Sequence, residues 1–112
     1  MNTELLKGTL SAIVLRLLSE KGRMYGYEIT QLIKMMSDGK ILVKEGSLYP
    51  ALHKLETEGL VLAETVFVGK RVRKYYSLTV GGKKEAKASV DILLEFLQTI
   101  HHLITAQPAA SI

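Results

Sequence analysis

The chain has 112 residues, of which 47% are hydrophobic and 23% charged, so it suits one folded domain and not a disordered chain. A net charge of +4 and a pI of about 9.4 indicate an anionic partner, either nucleic acid or a membrane surface. The lack of cysteine excludes disulfides and thiolate sites and suits a reducing cytoplasm, where we expect the protein, and no apolar run approaches the ~20 residues of a membrane span.

Helical spacing of apolar residues predicts two helices in the first third of the chain. The first covers residues 3–19 with Thr3 as its cap, and Lys21-Gly22 ends it. The second covers residues 25–36. Its inward face consists of Ile29, Leu32, Ile33 and Met36. After a turn, the β-prone residues 41–43 predict a small strand.

A third helix and a hairpin follow. The helix begins between residues 45 and 47 and continues to residue 58, and it tolerates Pro50 because we expect this proline in the first turn, where backbone N–H groups lack helical partners. Its buried stripe is Leu48, Leu52 and Leu55. Two β-prone runs, residues 60–68 and 72–79, predict the hairpin.

The last helix carries a heptad pattern. It extends from Thr79 to about Thr105, with its firm part beginning near Lys83 because Gly81 and Gly82 weaken the start. The seam positions are Ala86, Val90, Leu93, Leu97, Ile100 and Ile104. Because a helix of about 25 residues spans ~38 Å, more than a compact domain needs, we expect this helix to dimerise with a second copy of the chain. Packing within a single chain is the alternative.

The order helix, helix, short strand, helix and hairpin predicts a winged helix-turn-helix, a mainly α fold of the α+β class. We assign residues 1–79 to this domain and residues 80–105 to a long C-terminal dimerisation helix. Residues 106–112 predict a flexible tail, because Pro108 and small side chains offer little to pack.

Polar and basic residues of the third helix and the hairpin are suited to nucleic acid. The helix face opposite the leucine stripe carries Pro50, His53, Lys54 and Thr57, with Ser47 and Tyr49 at its N-terminal edge. The hairpin carries Lys70, Arg71, Arg73 and Lys74 without an acid among them. A cationic hairpin beside a presented helix can neutralise phosphates. The alternatives are a solvated helix face and a charged strand edge that blocks aggregation.

The chain resembles the PadR family of bacterial transcriptional regulators in three segments. These are LLKGTLSAIVLRLLSEKGRMYGYEI near the start, KEGSLYPALHKLETEGLV in the middle and GKRVRKYYSLT in the hairpin. Together they cover most of residues 5–79, and the middle segment is the most specific. The resemblance implies a winged-helix homodimer that binds palindromic operators in double-stranded DNA, usually as a repressor, and that a small-molecule effector can release.

The resemblance also implies roles for single residues. Tyr25 and Tyr27 bracket the start of the second helix, where the family often touches the DNA backbone. The recognition-helix motif matches at Ser47, Tyr49, Pro50 and His53, and the wing matches at Lys70, Arg71, Arg73 and Lys74. Lys54 joins these DNA-binding candidates from the polar helix face. Tyr75 and Tyr76 point to opposite faces of a strand, and the pattern leaves open which of them enters the core.

We expect no enzyme activity, no cofactor and no metal site. His101 and His102 are adjacent and point about 100° apart on a helix, so we expect them on the surface. Phe96 is the only aromatic residue on the last helix, which departs from short family members that hold planar aromatic ligands between aromatic side chains. The prediction is a DNA-binding regulator. The alternative is a ligand-sensing or protein-interaction module that keeps the winged fold without binding DNA.

Overall fold

The computed structural model describes residue 6 and residues 8–108. The elements are α1 Leu10–Lys21, β1 Met24–Tyr25, α2 Gly26–Met36, α3 Glu45–Thr57, β2 Val61–Val68, β3 Arg71–Leu78 and α4 Val80–Thr105. The strands form an antiparallel sheet in the order β1-β3-β2. This arrangement is the predicted α+β winged helix-turn-helix with a long C-terminal helix.

The core lies where α1, α2 and α3 pack together over one face of the sheet. The buried side chains include Val14, Leu15, Leu18, Ile29, Ile33, Leu48, Leu52, Leu55, Val61 and Tyr76. The leucine stripe predicted for the third helix is confirmed, since all three of its members are buried. Met36 was predicted to face inward, but it is exposed because it lies in the last position of α2, beyond the packed part of that helix.

The first helix begins later than its apolar pattern predicts. A turn at Gly8 and Thr9 interrupts the predicted helix, and the Thr9 hydroxyl donates a 2.9 Å hydrogen bond to the carbonyl of Leu6. The predicted cap, Thr3, lies outside the described residues. The end of the helix agrees with the prediction, because Gly22 adopts a φ of 84° directly after Lys21.

The small strand predicted at residues 41–43 is wrong. The N–H of Ile41 donates instead to the hydroxyl of Ser37 at 3.0 Å, so the segment folds back on the end of α2. The edge of β3 is occupied by β1, in which Met24 pairs with Tyr76. The short third strand therefore precedes α2 and does not follow it.

The start of α4 is firmer than its two glycines suggest. The helix begins at Val80, and the Thr79 hydroxyl oxygen accepts a 2.9 Å hydrogen bond from the N–H of Gly82. The same hydroxyl donates to the carbonyl of Gly59 at 2.7 Å. Gly82 is packed so closely on the carbonyl oxygen of Leu60 that no β-carbon fits there. Glycine at position 82 thus lets α4 begin directly against the end of α3.

The far half of α4 extends away from this core. The molecule measures 68 × 30 × 20 Å, with a radius of gyration of 16.7 Å, against the ~13 Å expected of a compact chain of this length. Among the described residues, none of the helices has the length and apolar character needed to cross a membrane.

Candidate nucleic-acid interface

One face of α3 is exposed to solvent in the part of the chain that the structure describes. Its exposed side chains are Ser47, Pro50, His53, Lys54 and Thr57. At 3.6 residues per turn they fall within an arc of about 120°, opposite the buried leucines. The face is therefore continuous, polar and open to a partner.

Pro50 lies in the sixth position of α3 and not in the first turn, so the reason predicted for its tolerance is wrong. Proline has no N–H, so the carbonyl of Gly46 loses the donor that residue 50 would otherwise supply. Gly46 is exposed on the same face of the helix. Its carbonyl oxygen is thus a backbone acceptor on the polar face, and water or a partner can satisfy it.

Tyr49 is held at the flank of this face. Its ring packs on Gly26, the first residue of α2, where an added β-carbon would lie 2.6 Å from the phenol oxygen. The side chain remains 42% exposed. Burial, and then the charge of Glu45, raise the pKa of Tyr49 above its ordinary value. Tyr49 therefore connects α3 to the start of α2 while part of its ring stays accessible.

The structure separates Tyr25 from Tyr27. Tyr25 lies in β1, and its backbone N–H donates to the carboxylate of Glu28 at 3.1 Å, which caps the start of α2. Tyr27 is exposed in the first turn of α2. Of these two residues, Tyr27 is the one whose side chain is free to touch a partner.

The hairpin of β2 and β3 distributes its four cations over its turn and its two faces. The turn is Gly69-Lys70, where Gly69 has a φ of 60°, as a tight two-residue hairpin turn requires. Paired residues share a face, and the register pairs Thr65 with Lys74 and Val68 with Arg71. Lys74 shares the face of Tyr76 and lies towards α3, whereas Arg71 and Arg73 share the opposite, outer face.

A ladder of stacked rings and guanidinium groups occupies that outer face. The Arg23 guanidinium lies 4.4 Å from the centre of the Tyr75 ring, and that of Arg73 lies 4.4 Å from the Tyr25 ring. The two rings meet edge to face at 5.4 Å. These contacts fasten the root of the hairpin to β1. Arg73 is thus partly engaged within the chain, unlike Lys70 and Arg71, which are exposed.

The sequence pattern left one feature of this sheet open, the burial of Tyr75 or Tyr76, and did not predict another, the role of Arg23. Tyr76 is the buried tyrosine of the pair, and Tyr75 is half-buried in the ladder. Arg23 was not among the candidate residues, although it also lies 3.8 Å from the carboxylate of Glu64. A signal was present, because Arg23 and Tyr25 are two residues apart, as are Arg73 and Tyr75, and that spacing places side chains on one face of a strand.

Comparison with known proteins assigns the chain to a family. The family model described as "Transcriptional regulator PadR-like family" matches residues 14–88, which hold α2, α3 and the hairpin. This chain belongs to the PadR-like family of transcriptional regulators. The PadR-like family comprises transcription regulators and not enzymes, in agreement with the prediction from the sequence.

Three relatives show how far the likeness extends. An uncharacterised protein of Lysinibacillus sphaericus is 34% identical over 111 residues, which cover 88% of this chain and 99% of that protein. A transcriptional regulator from Clostridium thermocellum has 29% identity and a TM-score of 0.82, covering 91% of this chain and 99% of that structure.

The third relative is Bacillus subtilis PadR, a negative transcriptional regulator that is 36% identical over 61% of this chain and 38% of its own length. Its structure in complex with operator DNA has 31% identity and a TM-score of 0.63, covering 92% of this chain and 51% of that structure. This PadR-like chain thus spans about half of that larger regulator or less.

The long helix of this PadR-like chain divides its seam between two environments. Ala86 is only 3% exposed because the first part of α4 packs on α1, so Ala86 offers little surface to a second chain. Val90, Leu93 and Ile100 are partly exposed. Further along, Leu97 is 49% and Ile104 77% exposed. The uncovered apolar surface therefore lies on the far half of the helix.

His101 and His102 are exposed on α4. Within residue 6 and residues 8–108, no group of three or more His, Cys, Asp or Glu side chains could hold a metal ion.

Proposed function

We propose that this chain is a sequence-specific DNA-binding repressor that binds a palindromic operator in double-stranded DNA as a homodimer in the cytoplasm. The observation that carries the proposal is the uncommitted polar face of α3 beside a braced hairpin with four cations. The DNA complex of the Bacillus subtilis relative supports a DNA partner, and the name of that relative as a negative regulator supports repression.

In this proposal α3 reads bases and the hairpin holds phosphates. The major groove admits a helix, and bases are discriminated there by side chains that reach their edges. The base-reading set is Ser47, Tyr49, Pro50, His53 and Lys54. The backbone set is Tyr27, Lys70, Arg71, Arg73 and Lys74, while the Tyr25 ring supports this set by holding the Arg73 guanidinium. Because Lys70 and Arg71 lie at the exposed turn, they should supply more phosphate contact than Arg73, whose guanidinium is stacked on Tyr25.

The homodimer forms through the far half of α4. Phe96, Leu103 and Ile104 are at least half exposed there, and an apolar surface of this extent is typical of a protein interface. The dimerising residues are Val90, Leu93, Leu97, Ile100 and Ile104, whereas buried Ala86 belongs to the inner end of the helix, which packs on α1. Residues 1–79 then act as the DNA-binding domain, residues 80–105 as the dimerisation helix and residues 106–112 as a tail, of which 109–112 lie outside the described residues.

A two-fold dimer presents two copies of α3 related by one axis, so its operator should be an inverted repeat. Dimeric helix-turn-helix proteins read half-sites roughly 34–36 Å, or about 10 base pairs, apart or at a multiple of this distance. The packing of α4 fixes that spacing for this chain.

Selection of binding sites from a random duplex pool tests the proposal. The expected product is an inverted repeat, and inserting five base pairs between its halves should abolish tight binding because one half then faces the opposite side of the duplex. Light scattering on the same sample should give twice the chain mass of 12.4 kDa. Transcription from a promoter that carries the selected site should fall when the protein is added.

A duplex in which the half-sites are shuffled is the matched control. Recovery of an asymmetric motif, indifference to the insertion or a folded monomer at micromolar concentration would contradict the dimeric readout. A chain that binds no duplex in the pool would instead support a protein-interaction or ligand-sensing role.

A further inference from the structure

Two apolar side chains stand uncovered near the tip of the hairpin. Phe67 is 75% and Val72 60% exposed, and the sheet register pairs them directly. Directly paired residues on antiparallel strands project to the same face, with Cβ atoms about 4.5–5.5 Å apart. Phe67 and Val72 therefore form one apolar pair, which we call the tip pair, and each of them lies two residues from the Gly69-Lys70 turn.

The tip pair continues the face that forms the core nearer the root of the sheet. On that face Ala63 pairs with buried Tyr76, and then Thr65 pairs with Lys74, before the tip pair is reached. The core covers only the root of this face, and both side chains of the tip pair remain open to solvent. An exposed apolar pair on a strand invites aggregation, so its presence points to a partner.

The charges around the tip pair select the kind of partner. Lys70 lies in the turn, Lys74 lies beside Val72 on the same face, and Arg71 flanks the tip from the other face. A matching partner must present negative charge to the three cations and an apolar surface that the tip pair can contact. Duplex DNA meets both conditions, because phosphates line its grooves and stacked bases lie between them. The minor groove, about 6 Å wide, is too narrow for the whole hairpin, but it admits an apolar side chain that projects from the hairpin tip.

Side-chain contacts hold the root of the hairpin in place, at the end away from the tip pair. The outer-face ladder holds Arg23 over Tyr75 and Arg73 over Tyr25, each at 4.4 Å. This bracing lies on the face opposite the tip pair. Because contacts on the outer face keep the hairpin rigid, it can insert an apolar side chain between base pairs without itself being displaced.

We propose that the tip pair is an apolar wedge that enters the minor groove beside each half-site and partly unstacks one base step. The proposal rests on the proposed DNA binding and deepens it. Apolar wedges of this kind kink the duplex towards the major groove. Pyrimidine–purine steps unstack most readily, so the wedge adds a preference for TA or CA at a position that α3 does not touch.

Replacing Phe67 with alanine tests the wedge. The probe is the selected operator duplex with 2-aminopurine at the wing-proximal step, and binding is followed by fluorescence anisotropy. Wild-type protein should raise the 2-aminopurine fluorescence. F67A should lose that rise and bind about 5–100 times more weakly, with the salt dependence unchanged because no cation is removed. F67L, which keeps an apolar side chain, should retain most of the affinity.

Two variants serve as matched controls. Leu62 is also an exposed apolar residue of β2, but it pairs with Ser77 on the outer face far from the tip, so L62A should bind like wild type. K70A removes a cation and should flatten the salt dependence while the 2-aminopurine signal remains. Thermal unfolding should be the same for F67A and L62A, since both side chains are exposed.

The outcomes separate the two proposals. If wild-type protein binds no duplex, DNA binding itself is wrong and the wedge falls with it. If wild type binds but F67A binds equally well, or no fluorescence rise occurs, the wedge alone is refuted. Binding of wild type to anionic phosphatidylserine vesicles that F67A loses, with DNA binding intact, would also refute the wedge and assign the tip pair to a lipid surface.

Discussion

Two adjacent glycines at the start of α4 should respond in opposite ways to the same substitution. At Gly81 an added β-carbon meets only the Thr79 hydroxyl at 3.8 Å, an ordinary contact. At Gly82 it would overlap the carbonyl oxygen of Leu60, which is backbone and cannot turn aside. Gly81→Ala should therefore stabilise the protein, whereas Gly82→Ala should force the start of α4 away from the end of α3.

The magnitude follows from the contacts that this displacement breaks. The N–H of Thr79 donates to Leu60 at 3.1 Å and its hydroxyl donates to Gly59 at 2.7 Å, and each bond stabilises the fold by about 1 kcal/mol. Partial exposure of Ala86 adds about 0.8 kcal/mol. Alanine gains about 1 kcal/mol of helix propensity at either position. We expect Gly82→Ala to lower the free energy of unfolding by about 2 kcal/mol.

Urea unfolding followed by circular dichroism at 222 nm measures both variants. Protein concentration must be matched, since the stability of an oligomer depends on it. For a chain of this size, a loss of about 2 kcal/mol corresponds to a melting temperature lower by about 8 °C or more. If Gly82→Ala proves as stable as Gly81→Ala, the close packing of α4 on Leu60 is not a constraint on the fold, and the reasoning fails.

Three further predictions test other residues. Leu97→Glu should halve the mass measured by light scattering because a dimer would bury two unpaired carboxylates, and an unchanged mass would remove Leu97 from the interface. Gly26→Ala should destabilise the wild-type chain by about 1 kcal/mol by displacing the Tyr49 ring, yet stabilise a Tyr49→Ala background through helix propensity; equal effects in both backgrounds would disprove the contact. Burial raises the pKa of Tyr76, so this phenol ionises at a lower pH in the unfolded chain than in the folded one. The free energy of unfolding should therefore be unaffected by Tyr76 below about pH 10 and decline above it. Tyr76→Phe should flatten that decline, and an equally steep loss in the variant would contradict the reasoning.

The sequence predicted the parts of the fold that depend on local periodicity. The leucine stripe of α3 and the hairpin were correct because apolar spacing and turn chemistry act over a few residues. The strand at residues 41–43 was wrong because strand pairing depends on which segment lies along the edge of β3, and Met24–Tyr25 occupies that edge. Met36 was misplaced because the helical pattern continues past the point where packing ends.

The candidate DNA-binding surface was predictable in composition but not in geometry. The four hairpin cations were evident from the sequence, yet only the register shows that Lys74 lies on the face towards α3 and Arg73 on the opposite one. The stacking of Arg73 on Tyr25 joins residues far apart in the chain, and no local pattern reports such a contact. The exposure of Phe67 likewise depends on where the core stops along β2.

The hydrogen bonds at Thr79 attach α4 rigidly to the end of α3, so the two helices should move together. The helix is 26 residues long, or about 39 Å, and its N-cap residue, Thr79, donates hydrogen bonds to the carbonyls of Gly59 and Leu60, shortly after the end of α3. Over that length, a shift of about 3 Å at Thr105 corresponds to a tilt of about 4° at Thr79. In the proposed dimer, a small sliding movement where two such helices cross would rotate the two copies of α3, so the crossing point would set the angle at which both copies meet the duplex.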